Sequence, residues 1–430
     1  MIRKETGREI VTAPFVIFQM TQETLNSLEK NYKRNYLSFL GEGLFFTFAY
    51  NLSSVTNVIP DYVAKISDDP LALSLIPVLY YCPLYLASIL GCYFSLNARS
   101  PKQIGVRICL SQRIGLLLIA LSSLLIGNAG RRICLTLFFI AFTLYNIADG
   151  MSAPVYYDMV STMIHRNIGS FFGVYNMVGS IAGIFASLLL SYLYGSHPYP
   201  KNYQIMFFTG VIFAFLSSLM IILGCKETSD VRKEHGCFHF SQFPVLFRKC
   251  LSKPSFRKYT LSYLVLAATD FAVPFYVLRL QSGHPVPENY IGIMSMISLI
   301  SGILANWSLG WISDLFGVFP MLLISCLLGI VSSILAIINP GGLWVYVTYA
   351  MISFAYCGST LSNTIASAVF SEGENSTIYT ASSKIVAAPV TFAVSVLGGF
   401  LSQHYSISIV FSIALTAYIL AALSVFRKSN

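Results

Sequence analysis

Residues 310–317 read GWISDLFG. The chain is apolar on both sides: NYIGIMSMISLISGILANWSL (289–309) leads in and VFPMLLISCLLGIVSSILAII (318–338) leads out. One carboxylate, Asp314, stands between Gly310 and Gly317 at this junction. Each flank has the roughly 20 apolar residues that a helix needs to cross about 30 Å of hydrocarbon. The octapeptide therefore reads as a tight turn at which a membrane-spanning chain reverses direction.

The rest of the chain agrees. Of its 430 residues 55% are hydrophobic and 10% charged, against roughly 25% charged in a soluble domain. Apolar stretches of spanning length recur at 36–58, 71–95, 105–127, 133–156, 168–194, 203–224, 258–280, 289–311, 319–338, 343–370, 378–401 and 405–426. The expected fold class is an all-α membrane protein with twelve transmembrane helices, and an even number puts both termini on one side.

Basic residues set the orientation, because cytoplasmic loops collect Lys and Arg. With the N-terminus inside, twenty of the 27 Lys and Arg lie in inside segments and five in outside ones; Arg113 and Lys384 fall within spans. The expectation is a multi-pass protein of the cell membrane, inner or plasma, with cytoplasmic N- and C-termini. The net charge of +9 is then this bias plus attraction to anionic lipid, and its spread over many loops argues against nucleic acid. IVTAPFVIFQM (10–20) resembles a short apolar core, but no small-x-small cleavage site follows; an interfacial or cytoplasmic segment is the plainer reading.

The longest polar interruption, KETSDVRKEHGCFHFSQFPVLFRKCLSKPSFRK, divides the spans six and six. The expected domains are an N-terminal cytoplasmic segment (1–35), a six-helix bundle (36–224), a cytoplasmic central loop (225–257) and a second bundle with a short tail (258–430). RNY (34–36) and RKY (257–259) open the two halves, and Gly91 and Gly310 each close the second span of a half at similar spacing. Repeated halves around a central site are the usual build of secondary transporters. Cys225, His235, Cys237, His239 and Cys250 gather in the central loop, yet no C-x2-C or H-x3-H spacing makes them a metal site.

GWISDLFG matches the G-x-x-x-D-x-x-G loop signature of the major facilitator superfamily, at the point between spans 8 and 9 where that family carries it. The first-half counterpart, GCYFSLNARSPK (91–102), resembles a decayed copy: Gly91 is kept, Ser95 stands where the acid belongs, Ala98 replaces the second glycine, and Arg99 and Lys102 keep the basic tail. DMVSTMIHRNIGSFFG (158–173) resembles the family's acid and Arg-x-x-Gly before span 5, here Asp158, Arg166 and Gly169. Glycine in such turns permits close backbone approach. An Asp at the start of the following helix satisfies free N–H groups and complements the dipole. The resemblance implies two pseudo-symmetric six-helix bundles, with Asp314 also helping to hold the halves together at a cytoplasmic gate; a plain helix cap accounts for the same residues. Gly179-x-x-x-Gly183 reads as close packing, and the Gly-Pro-x-x-Gly-Gly of many drug–proton antiporters is absent from span 5.

Ionisable side chains inside spans are functional candidates by default. By helix rise, Glu42, Arg113, Asp149 and Lys384 share a layer roughly 9–12 Å from the cytoplasmic end of their spans, and Asp270 lies roughly 18 Å in. Two charges of each sign in one layer suggest pairing of Glu42 or Asp149 with Arg113 or Lys384, structural or exchanging as the halves move; Arg113 is read as structural. Spans 1, 4 and 7, which bear Glu42, Asp149 and Asp270, line the central cavity in the family. Asp270, a lone carboxylate near the midplane, is the candidate proton carrier, or else a structural Asp bonded to a neighbouring helix. Lys384 can attract an anionic substrate. Asn51, Tyr145, Asn146, Tyr356 and Asn363 are candidates for the cavity wall, with packing as the plainer account of each.

The expected function is a secondary transporter that moves a small-molecule substrate by alternating access. Proton-driven symport is the expected energy source, since no G-x4-G-K-[ST] phosphate loop occurs. The expected partners are substrate, protons and the lipid bilayer; the chain is read as a monomer with no cofactor, no metal and no catalytic residue. Two competitors stand beside this. One is a transporter-shaped sensor or scramblase. The other is an intramembrane lipid-modifying enzyme, against which no His is followed by an acid five positions on.

Overall fold

The computed structural model describes residues 3–5, 8–13, 16–19, 22–67, 69–126, 130–164, 168–227, 242–281, 289–339, 341–371 and 376–426. Three short strands, β1 (Arg3–Glu5), β2 (Arg8–Ala13) and β3 (Val16–Gln19), form an antiparallel meander with Arg3 opposite Ile10 and Ala13 opposite Val16. The regular elements described beyond it are helices. Ten helical stretches among the described residues are long and apolar enough to cross a membrane. The protein is a multi-pass integral membrane protein.

The helices follow their local signals. Helix α1 runs Gln22–Leu52, so it starts well before residue 36, on the polar stretch QETLNSLEKNYKRN. It stops at SSVTN (53–57), where Ser54 and Thr56 hydroxyls bond one another and the Asn57 side chain. Such side chains offer the backbone an alternative to helix. The chain resumes as α2 (Val58–Ile66). Helix α3 (Pro70–Asn97) begins with Asp69 accepting from the Leu71 N–H at 2.9 Å and Pro70 at the first position; α4 (Pro101–Ser123) repeats the device with Ser100 and Pro101. Helices α5 (Arg131–Met163), α6 (Ile168–Ser196) and α7 (Lys201–Leu219) follow, the last continued by a π-turn at Met220–Gly224.

The central segment ends in a short helix, α8 (Phe243–Ser252), which packs on α9 (Pro254–Ala267) and on the later α14 (Ser376–His404). The stretch expected as one span at 258–280 is broken. Helix α9 ends at Ala267, one 3-10 turn covers Asp270–Ala272, and α10 (Val273–Gln281) completes the crossing. Pro274 favours the break, since it has no N–H to donate and its ring collides with the carbonyl four residues back, that of Asp270. Helices α11 (Tyr290–Phe316), α12 (Val318–Ile338), α13 (Leu343–Ser371), α14 (Ser376–His404) and α15 (Ile407–Phe426) complete the chain. Helices α1 and α13, of 31 and 29 residues, are long enough to span but more polar than the other ten. In α13 the reason is its Ser, Thr, Tyr and Asn content.

Helix α1 packs on α6 and α7, α3 on α5, and α4 on α5 and α7; later in the chain α11 and α12 pack on α13, and α9 on α14 and α15. The two groups meet along α3 against α14 and along α6 against α11.

Candidate functional site: a tyrosine-lined cleft and its charged layer

The break before Pro274 turns Asp270 into a cleft lined by Tyr50 of α1, Tyr80 and Tyr81 of α3 and Tyr356 of α13. Residues from both groups of helices thus face one carboxylate. Asp270 is 7% exposed, and Tyr85 is its hydrogen-bonding neighbour. The tyrosines are themselves tied: the Tyr50 and Tyr80 hydroxyls lie 3.2 Å apart, and Tyr81 donates to Tyr356 across the groups at 3.2 Å. A buried carboxyl ringed by hydroxyls can hold a proton or release it to a bound solute or to water.

A second polar system lies within the first group. Glu42 of α1 stands 3.7 Å from Arg113 of α4 and accepts from the Tyr156 and Tyr175 hydroxyls at 2.7 and 3.2 Å. Arg113 also donates to the Ala214 carbonyl at 3.2 Å, to Ser217 at 2.7 Å and to Gln112, and lies 4.8 Å over the Phe46 ring. The other end of Gln112 donates to Asp149, and Asp149 is within electrostatic reach of Lys384 on α14. Three of the four charges share one network, and the fourth, Lys384, lies within electrostatic reach of Asp149. Glu42 pairs directly with Arg113, Asp149 joins through a glutamine, and Lys384 approaches from the other group.

The remaining cavity candidates separate. Tyr356 lines the cleft, whereas Asn51 donates to its own helix at Thr47, 2.8 Å away, and abuts Gly183. Asn146 donates to the Leu79 and Phe142 carbonyls, Asn363 donates to Ser383, and Tyr145 packs against Gly115. These four hold helices together. Gly183 meets Leu299 of α11 and Gly179 meets Thr47 of α1, so this pair serves packing.

The sequence matches the Major Facilitator Superfamily over residues 43–389. The chain belongs to the major facilitator superfamily. That membership makes it a transporter-family protein and not an enzyme. No curated protein sequence matches it. Among solved structures, the nucleoside transporter NupG superimposes with a TM-score of 0.67 at 14% identity, covering 91% of this chain and 100% of that one. A D-xylose–proton symporter gives 0.69 at 12%, covering 91% and 97%. A POT family transporter in complex with a thioalcohol-conjugated peptide gives 0.68 at 12%, covering 92% and 97%. Identities this low establish the fold alone.

At the superfamily's loop positions the two copies differ. A Cβ on Gly91 would stand 2.5 Å from the Met151 carbonyl oxygen, so here α3 and α5 need the glycine. Ser95, in the acid's place, donates to Asp158 at 2.7 Å, and Arg99 is exposed. Lys102 instead caps the sixth span, donating to the Ile222 and Cys225 carbonyls at 2.9 and 2.7 Å. In GWISDLFG the close-approach reading fails at Gly310, where an added Cβ meets nothing within 4 Å. Asp314 lies in the last turn of α11 and not at the start of α12, whose N-cap is Gly317. Gly317 makes the turn itself, with φ at 86°, a conformation that favours glycine.

Arg166 lies outside the described residues, as do His235, Cys237 and His239. Among the described residues no group of His, Cys, Asp and Glu could hold a metal.

The sequence reading missed Asp61, which it left in an outside loop. Asp61 is fully buried on α2 and accepts from the hydroxyls of Tyr194, Tyr203 and Tyr290. The signal was the amphipathic repeat VIPDYVAKI that follows SSVTN, which continues the first span beyond its break.

Proposed function

We propose that the protein is a proton-coupled symporter that moves a small solute by alternating access about the Asp270 cleft. The observation that carries this is a single buried carboxylate at a helix break, walled by tyrosines from both groups of helices. Broken helices at a site between repeats are how secondary transporters present polar groups to substrate and ion. Counting α1 with α2, and α13, as spans gives twelve helices in two six-helix bundles, 36–224 and 258–430, joined by a cytoplasmic central loop. Both termini lie in the cytoplasm, the protein works as a monomer, and the membrane is the cell membrane. Within the charged layer, Glu42 and Arg113 act as a strut inside the first bundle, while Lys384 and Asp149 face each other across bundles and exchange partners as these rock. Gly91, Arg99, Asp158, Arg166, Gly310, Asp314 and Gly317 serve the cytoplasmic gate.

The test is proton movement in sealed proteoliposomes challenged with metabolite pools, comparing wild type with Asp270→Asn. A pool that drives proton entry in wild type but not in the variant supports both symport and the role of Asp270. Exchange of labelled solute with no proton movement refutes the coupling and returns Asp270 to structure. If neither solute nor protons move, the non-transporting sensor or scramblase is favoured.

A further inference from the structure

We propose that Asn57 and Asp61 form a two-point latch closing the face opposite the α3–α4 turn, built to open without stranding its buried carboxylate. It rests on the alternating-access reading above.

Both residues are on or just before α2, four positions apart and so on one helix face, and they are 1% and 0% exposed. Each has two sets of partners. Asp61 accepts from Tyr194 of α6 and Tyr203 of α7, which belong to its own group, and from Tyr290 of α11, which belongs to the other. Asn57 accepts from Ser54 and Thr56 beside it; it also donates to Ser295 of α11 at 2.6 Å and accepts from Tyr349 of α13 at 2.9 Å.

The division matters for a contact that must break in every cycle. A buried polar group that loses all its partners is costly, and a buried charge more so. If α11 and α13 move away, Asp61 keeps two phenol donors and the Asn57 Oδ1 keeps two hydroxyls, while the Asn57 amide nitrogen gives up Ser295. The carboxylate, the costlier group to strand, stays bonded. The Glu42–Arg113 pair has the opposite construction: both members lie in one group, and separating them would leave each charge without its counterion. One is a strut and the other a catch. The break at SSVTN supplies the catch, because it frees α2 to lean towards α11 and α13 while its own hydroxyls serve Asn57.

The test compares Tyr290→Phe combined with Ser295→Ala, which removes crossing bonds, with Tyr203→Phe, which removes a bond inside the group. The full chain in lipid is read by hydrogen–deuterium exchange. The latch requires the crossing variant to raise exchange over 54–66 at least fivefold and to lower it around Gly91 and Asp158, the opposite face. Tyr203→Phe should raise exchange locally with no fall on that face. A crossing variant that changes neither face, or that loosens 54–66 alone, overturns the latch. So does Tyr203→Phe if it produces the same reciprocal change. Proton flux tests the transport reading separately, so wild-type flux with no reciprocal exchange removes the latch and leaves symport standing.

Discussion

Arg113 stands 3.7 Å from Glu42, and the two side chains are 2% and 3% exposed. Such a pair adds little over an apolar substitute, yet removing one partner leaves a charge buried alone, at about 3–5 kcal/mol. Glu42→Gln or Arg113→Met should each lower thermal stability in detergent by that order. Glu42→Leu with Arg113→Met together should regain more than half of the loss. A Glu42→Gln variant within about 1 kcal/mol of wild type would show that Tyr156, Tyr175 and Ser217 already satisfy both groups without the pair.

Gly91 and Gly310, which the sequence spacing pairs, meet different surroundings. Gly91→Leu would drive a side chain into the Met151 backbone and Pro154, an overpacking worth about 1–3 kcal/mol. Gly310 lies inside α11 with open space where its Cβ would be. Since glycine is the poorer helix former by roughly 0.5–1 kcal/mol, Gly310→Ala should leave stability unchanged or raise it. Thermal midpoints of the two variants should move in opposite directions or differ clearly in size. Equal losses would mean that Gly310 is enclosed in a state other than this one.

The contrast shows what the sequence can and cannot convey. Pro70, Pro101 and Gly317 mark helix ends by local rules, so spans such as α3 and α12 begin and end within a few residues of where their apolar runs do. The charged layer was legible for the same reason: depth along a helix is one-dimensional arithmetic. Partners are not. Nothing in the run of letters says that Gln112 joins Arg113 to Asp149, that Lys102 caps the sixth span and not the gate loop, or that Asp61 meets three tyrosines from three other helices. Those facts depend on which faces meet. Pro274 did carry a local signal, since it disfavours helix at Asp270, but Pro77, Pro83, Pro154 and Pro389 sit inside continuous helices, so a proline alone does not place a break.

Cys225, just beyond the sixth span, is 2% exposed, and burial pushes its thiol up from an ordinary 9.0 to about 12. A raised value means that the reactive thiolate is scarce in the fold until the pH approaches that figure. Maleimide should leave Cys225 unmodified at pH 7 and still at pH 9 in the native protein, and modify it on denaturation, as read by peptide mass. The same shift makes folding stability fall as pH rises from about 9 to about 12, where an unfolded chain gives up this proton and the folded one does not. Rapid labelling at pH 7 would mean that the packing of Cys225 against α1 and α4 opens readily.

Pro274→Ala probes whether the helix break itself serves the cleft. Alanine restores the missing N–H and removes the collision with the Asp270 carbonyl, so the segment from α9 to α10 is free to close into one continuous helix. Proline inside a helix costs about 3 kcal/mol, which bounds the gain in stability from above. Closing the break redirects residues 268–272, and with them the Asp270 side chain, away from Tyr81 and Tyr356. The expected outcome is a protein at least as heat-stable as wild type whose proton-linked uptake in proteoliposomes falls at least tenfold. Asp270→Glu, which keeps the break, should retain more of that uptake than Pro274→Ala does. If Pro274→Ala transports normally, the irregular turn is a tolerated defect of the span and Asp270 works from an ordinary helix.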